Sequence, residues 1–340
     1  MQQGSPPDSP LTPQRIMQMT WGFAPPLILE AAIRNRVFDV LDQGACTLEE
    51  LATITSASPR GLRAICNALV SLNFLANDGG KFSLTPESSA FLVSSKPSFQ
   101  GGLLNHASQT LIASWLNLAD IVKTGIPPRH VDNQGEGTEF FIKLVEDIFN
   151  MSAAAVGVLG GSLGDRLTHP TRVLDIAAGS GVWGIMLAKG RPTVSVTAVD
   201  WPGVIPVTKR VAARHGVAER MSYVEGDLQQ VALGTGFDIA TLGHILHSEG
   251  PVKSQTLLKK VFVALAPGGT IVIGEFIPDD DRKGPVGPLL FAVNMLVNTT
   301  DGDTFTFKEI SSWLKAAGFV NARLLDAPGP SPLLLADKPV

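Results

Sequence analysis

The stretch Val173-Leu174-Asp175-Ile176-Ala177-Ala178-Gly179-Ser180-Gly181-Val182-Trp183-Gly184 sets an apolar run, a carboxylate and three glycines side by side. Glycines at such a turn let the backbone approach a ligand closely, and a following helix points its N-terminus at that ligand. Gly179, Gly181 and Gly184 satisfy the dinucleotide fingerprint, with Asp200 ending the next strand and placed to grip ribose hydroxyls. Charge separates the candidate ligands. Asp175 stands at the end of the first strand, before the glycines. A pyrophosphate would be repelled by a carboxylate there, whereas a sulfonium bearing an amino-acid ammonium would be attracted. Gly226-Asp227 ends a third strand, where a carboxylate can meet an adenine amino group. The three acidic strand ends favour S-adenosyl-L-methionine over a nicotinamide cofactor. The alternative reading of Asp175 is a structural cap on the loop.

The elements that position these residues follow from periodicity. After Pro170 the pattern alternates: strands over 172–176, 194–199, 221–224, 237–242 and 270–274, with helices to about 189, to about 215 and over 252–266. That order is an α/β, Rossmann-like, doubly wound, mostly parallel sheet. Thr306-Phe307-Lys308-Glu309 caps a last helix ending at Gly318, and strands follow over 320–325 and 332–336. The short Pro328-Gly329-Pro330-Ser331 join forces these two into an antiparallel terminal pair.

Residues 1–14 are polar and Pro-rich and read as a disordered tail, lacking the charged-then-apolar order of a signal peptide. Apolar residues fall at helical spacing over 16–41, and the run Leu27 to Ile33 is apolar nearly all round, so it must be covered by another element or another chain. A capping box at Thr47–Glu50, the Ser58-Pro59 helix start and a hairpin at Asn77-Asp78-Gly79-Gly80 complete a helix, helix, helix, hairpin order. This is a winged-helix unit, which serves either DNA binding or dimerisation. Residues 1–100 carry seven Lys/Arg against eight Asp/Glu, and the would-be recognition helix offers only Arg60 and Arg63. Phosphate contacts dominate DNA affinity, so the charge count disfavours a nucleic-acid partner.

The whole-chain balance agrees: net charge is −4, from 27 Lys+Arg and 31 Asp+Glu. Two cysteines, Cys46 and Cys66, cannot build a disulfide scaffold, no Cys/His spacing suggests a metal, and no apolar run reaches membrane-span length. A soluble, cytoplasmic protein is expected. Four regions follow: a tail at 1–14, a winged-helix domain at 15–100, a helical linker at 101–165 and a cofactor-binding domain at 166–340. The linker supplies Trp115, Phe140, Phe141, Phe149 and Met151, which suit either a plain core or a cap over an acceptor pocket.

With these motifs in place the chain resembles the class I S-adenosylmethionine-dependent methyltransferases. More closely, it resembles the small-molecule O-methyltransferases typified by the caffeate and acetylserotonin enzymes and their bacterial polyketide relatives. The resemblance covers nearly the whole chain. It implies that the winged-helix domain is a dimerisation domain, giving a homodimer, and that the acceptor is a small aromatic molecule. The glycine motif is matched by Asp175 through Gly181, the acidic residue before a proline by Asp200-Trp201-Pro202, and the Gly-Asp pair by Gly226-Asp227, followed by Leu228. The family's Leu-His-Asp-Trp segment, which supplies the catalytic base, falls on Leu246-His247-Ser248-Glu249. The glutamate that buttresses the histidine falls on Glu275, and the methionine that packs on the acceptor ring on Met295.

Three positions depart from the family pattern. Its Asp-Trp pair is Ser248-Glu249, a lysine of the plant members is Gly243, and its second buttressing glutamate falls on Thr304 beside Asp303. The implied acceptor pocket draws on Trp115, Phe149, Met151, Asn294 and Met295, with His244 lining it or rivalling His247, and polar contacts from Asn298 and Thr304. The expected chemistry is in-line methyl transfer to a phenolic or polyketide-like hydroxyl, with His247 removing the proton, a task an imidazole performs near neutral pH. C-methylation, cofactor binding without transfer, and, more remotely, NAD-dependent oxidation stay open at this point.

Overall fold

The computed structural model describes residues 11–330 and 332–340. The expected tail at 1–14 therefore falls mostly outside the described residues; Leu11 and Thr12 carry no regular structure, and a helix runs Gln14–Met19. The chain separates into two compact units, one ending at Thr110 and one beginning at Leu111.

In the first unit, the single helix expected over 16–41 is three: Gln14–Met19, Ala24–Arg34 and Val37–Leu41. Two local features break it. Pro25 and Pro26 open the second helix, where a missing N–H costs nothing, and Arg36 at φ +58° turns the chain before the third. Thr47 and Glu50 form a reciprocal capping box ahead of Leu48–Thr55, and Ser58 accepts from the Gly61 N–H ahead of Pro59–Ser71. Strands β1 (Cys46–Thr47), β2 (Leu75–Asp78) and β3 (Lys81–Leu84) make an antiparallel sheet in the order β1-β3-β2. Gly79 and Gly80 both have positive φ, as a two-residue hairpin turn demands. Phe38, Leu51, Leu62 and Leu69 are fully buried between the helices and this sheet.

The second unit is built on a seven-stranded sheet. Its strands are β4 (Thr171–Ile176), β5 (Val194–Asp200), β6 (Met221–Glu225), β7 (Phe237–Gly243), β8 (Leu265–Gly274), β9 (Val320–Leu325) and β10 (Leu333–Asp337), in the order β6-β5-β4-β7-β8-β10-β9. The first five are parallel; β10 runs antiparallel between β8 and β9. Strand β4 is buried on both faces from Val173 to Ile176, as a central parallel strand must be. One core cluster gathers Val173, Ile185, Val196 and Leu159; the other gathers Leu174, Leu242, Leu258 and Ile310. The strand order reverses at β4, so the crevice beyond the carboxyl ends of β4, β5 and β7 is where such sheets bind ligands. Among the described residues no helix is long and apolar enough to cross a membrane.

Candidate active site

The turn after β4 is held from both sides. Asp200, at the end of β5, accepts the Gly179 N–H on Oδ2 (2.7 Å) and the Trp201 N–H on Oδ1 (2.7 Å), while Thr208 donates its hydroxyl to the Gly179 carbonyl (2.7 Å). Gly179 and Gly181 both have positive φ, a conformation glycine adopts freely, where the chain reverses into the helix Val182–Ala188. Gly184 has another reason: a Cβ there would lie 2.5 Å from Val196, so glycine lets this helix press onto the sheet.

A cavity of about 320 Å³ opens above this turn, within the size range of small-ligand sites. Gly179, Asp200, Trp201, Asp227 and Leu228 line it, together with Ser248 and Glu249. Gly226, at φ +150°, turns the chain from β6 towards Asp227. Burial pushes the Asp200 carboxyl up to about 6, against the pull of its two backbone hydrogen bonds. Each Asp200 oxygen still has acceptor capacity for a ligand hydroxyl. Four acidic side chains, Asp132, Asp200, Asp227 and Glu249, against the one lysine Lys253 line the cavity, a balance that suits a ribose, an adenine amino group and a cationic ligand rather than a pyrophosphate. The residues present therefore fit S-adenosylmethionine.

Asp175 lies elsewhere. It is fully buried beneath the turn, with Oδ2 accepting the Gly184 N–H (2.9 Å) and Oδ1 accepting the Thr241 hydroxyl (2.8 Å). It does not line the cavity, so the expected attraction between its charge and a sulfonium is corrected to a brace that ties β4, β7 and the helix together. Burial pushes this carboxyl up to about 7. Its folded pKa thus exceeds its unfolded one, and its contribution to stability falls as pH rises from about 4 to about 7. Asp175→Asn should remove that part of the decline: the amide oxygen accepts from Gly184, and the amide nitrogen donates to Thr241. Thermal melts from pH 4 to pH 8 check this; an unchanged slope in the variant would count against the brace being the proton acceptor.

The second cluster forms at the ends of β7 and β8. Their register pairs Gly243 with Gly274, which brings His247, four residues beyond one, beside Glu275, next to the other. Glu275 is buried and bound twice by His247: Oε2 lies 2.7 Å from Nδ1, and Oε1 accepts the backbone N–H (3.2 Å). Burial raises the Glu275 pKa, but its interactions with His247 outweigh that and leave it below the ordinary glutamate value. An ionised carboxylate only accepts, which puts the imidazole proton on Nδ1 and leaves Nε2 with a free lone pair.

Aromatic rings enclose this pair. Phe291 meets the His247 ring edge-on at 4.9 Å and stacks on Phe276 at 3.8 Å. His244, at φ +62°, lies 5.3 Å from Phe276 and 6.3 Å from His247, and burial lowers its pKa to about 4. Met295 is buried one helical turn beyond Phe291 on the same helix, Val286–Asn298. Trp115 Nε1 donates to Asn294 Oδ1 (3.0 Å), and Asn298 Nδ2 donates to the same oxygen (3.1 Å), so these three are fixed to one another. Thr304 is fully buried, and the preceding Asp303 donates its N–H to the His247 carbonyl (2.9 Å).

Phe149 and Met151 are not brought in. They begin the helix Phe149–Leu163, whose buried face packs in the core, and the Phe149 ring stacks on His215 at 4.9 Å. Among the residues not anticipated, Phe276 directly follows Glu275 and Phe291 precedes Met295 by one turn, a spacing that puts both on one helix face. Gln229 donates its amide to Glu249 (2.7 Å), and Asp132 lines the cofactor cavity. The Ser248-Glu249 departure thus falls on the cofactor cavity and leaves the His247–Glu275 pair whole.

The sheet order, the glycine turn and the acidic ends of β5 and β6 define a class I S-adenosylmethionine-dependent methyltransferase. The family model for the O-methyltransferase domain matches residues 139–320 and that for the O-methyltransferase dimerisation domain matches residues 17–94, so the chain belongs to the O-methyltransferase family and uses S-adenosylmethionine. It is similar to the 3-hydroxy-5-methyl-1-naphthoate 3-O-methyltransferase of Streptomyces sahachiroi, 28% identical with 94% of this chain and 93% of that protein covered. It is also similar to the acetylserotonin O-methyltransferase of Bos taurus, 30% identical over 93% and 95% of the two chains. Among solved structures, human N-acetylserotonin methyltransferase in complex with S-adenosylmethionine superposes with a TM-score of 0.82, at 25% identity over 98% and 99% of the chains.

Proposed function

We infer that this protein methylates a hydroxyl on a phenolic or polyketide-like aromatic acceptor, with His247 as general base. The observation that carries this reading is the buried His247–Glu275 pair facing an aromatic enclosure. S-adenosylmethionine, held by Gly179, Asp200 and Asp227, supplies an electrophilic methyl group. The chain's own residues do the rest. His247 Nε2 takes the acceptor's proton as the oxygen attacks, and Glu275 stabilises the imidazolium that forms. Phe276 and Phe291 exclude water and offer faces to an acceptor ring. The relatives favour such an acceptor, since the Streptomyces protein is named for a hydroxynaphthoate and another, TcmO, for tetracenomycin polyketide synthesis.

The assembly we infer is a homodimer. Ile16, Met17, Met19, Trp21 and Phe23 are each more than half exposed around a helix with no buried residue, an apolar face for a second copy.

Calorimetric titration with S-adenosylhomocysteine, with NADH as control, tests the site. Binding of the first alone is expected, weakened at least about tenfold by Asp200→Ala, which removes a hydrogen-bonding carboxylate. Binding unaffected by that substitution would move the cofactor away from the β5 end. Light scattering on the same sample should give twice the chain mass, and a monomer would remove the dimer.

A further inference from the structure

We propose that His244, His247 and Glu275 form a binding site for a divalent transition-metal ion, zinc above all, and that occupancy of this site switches the enzyme off. Their ligating atoms all lie within 4.8 Å of one another. Two imidazoles and one carboxylate are a donor set that zinc takes in open sites, leaving a fourth position for water or another oxygen. Tetrahedral coordination at ordinary zinc distances needs ligand atoms about 3.3 Å apart, so modest side-chain rotation closes the set. The His247–Glu275 pair is already nearer than that, at 2.7 Å.

His244 supplies the independent observation. Its Nδ1 is buried without a hydrogen-bond partner, a costly state for a polar atom that a metal ion would relieve. Its backbone is held at φ +62° and pinned by its N–H donating to the Gly274 carbonyl (2.7 Å), which keeps the ring beside Phe276 and Trp183. The histidine spacing, with two intervening residues across the turn from β7 into the following helix, brings both rings to the same side as the end of β8.

Inhibition follows from the chemistry of His247, and only this consequence rests on its reading as the base. A metal on Nε2 occupies the lone pair that would receive the acceptor's proton. A metal on Nδ1 moves the ring proton to Nε2, which then donates rather than accepts. Either way the base is lost, and the Glu275 carboxylate is diverted from stabilising an imidazolium.

The test is calorimetric titration of zinc chloride into the metal-stripped full-length protein saturated with S-adenosylhomocysteine, and into His244→Asn. Asparagine tolerates the left-handed backbone at this position, so the substitution removes the imidazole with little strain. Circular dichroism and a thermal melt establish that the variant is folded; His244→Gly, which also accepts that φ, replaces it if it is not. One zinc per chain at micromolar affinity is expected, weakened at least about 100-fold in the variant, beyond the loss typical of outer-shell changes. The absence of saturable binding, or binding unchanged in the variant, would overturn the site. Methyl transfer should fall with the same midpoint and recover on adding EDTA, and full activity with zinc bound would overturn the inhibitory role. If His247→Ala retains turnover while the native protein binds zinc, the base reading fails and the metal site stands.

Discussion

His247→Ala should lower the turnover number by about 10²–10⁴-fold, the usual worth of a positioned general base, while S-adenosylhomocysteine binds almost as it does to the native protein. The separation is expected because His247 does not line the cofactor cavity; its neighbours Ser248 and Glu249 do. The substitution also strands Glu275, buried and accepting two hydrogen bonds from His247. Leaving a buried carboxylate without its imidazole costs about 3–5 kcal/mol, so a melt must accompany the kinetics. His247→Gln separates the two effects, since its amide can donate to Glu275 yet has no basic nitrogen. It should fold more stably than the alanine variant and be as inactive. Glu275→Gln should fall between, because an amide oxygen still accepts from Nδ1 but offers no charge to the imidazolium. Single-turnover methyl transfer with a phenolic acceptor distinguishes these cases. Turnover of His247→Ala within about tenfold of native would exclude His247 as the base.

What sequence could reveal here divides along physical lines. The parallel strands were legible because each is a short apolar run between turn signals, and the cap residues Thr47, Ser58 and Thr306 because capping is chemistry local to a few residues. Asp200 and Asp227 were legible for a similar reason: an acidic residue at a strand's carboxyl end has one crevice to face. Asp175 shares that pattern and behaves differently, because whether a carboxylate points over or under a turn depends on Thr241 of the neighbouring strand β7, sixty-six residues away in sequence. Phe149 was misplaced for an equivalent reason, its partner His215 being remote in sequence. The break of the N-terminal helix at Arg36 left no proline or glycine to announce it.

The departure at Gly243 has a structural cause, which yields a large expected effect. A Cβ on Gly243 would lie 1.8 Å from Trp183 Nε1, and one on Gly274 would lie 2.6 Å from Trp183 Cζ2. The indole, buried in the core, thus lies flat across the paired ends of β7 and β8, in the space a side chain at either position would need. Neither glycine has a left-handed φ, so the objection to a larger residue is steric alone. Gly243→Ala should therefore cost about 1–3 kcal/mol by overpacking, and more if the indole is expelled. Trp183→Ala should cost about 3–5 kcal/mol by emptying the site. Combined, the two should fall short of additivity by about 2 kcal/mol, because the alanine methyl enters space the indole has left. On the Trp183→Ala background, Gly243→Lys should be tolerated better than on the native one, since the indole fills the space a side chain at position 243 would need. Chemical denaturation of the four proteins in each cycle measures this. A Gly243→Ala cost below about 0.5 kcal/mol would mean that the indole moves aside freely, and the glycine would then need another explanation.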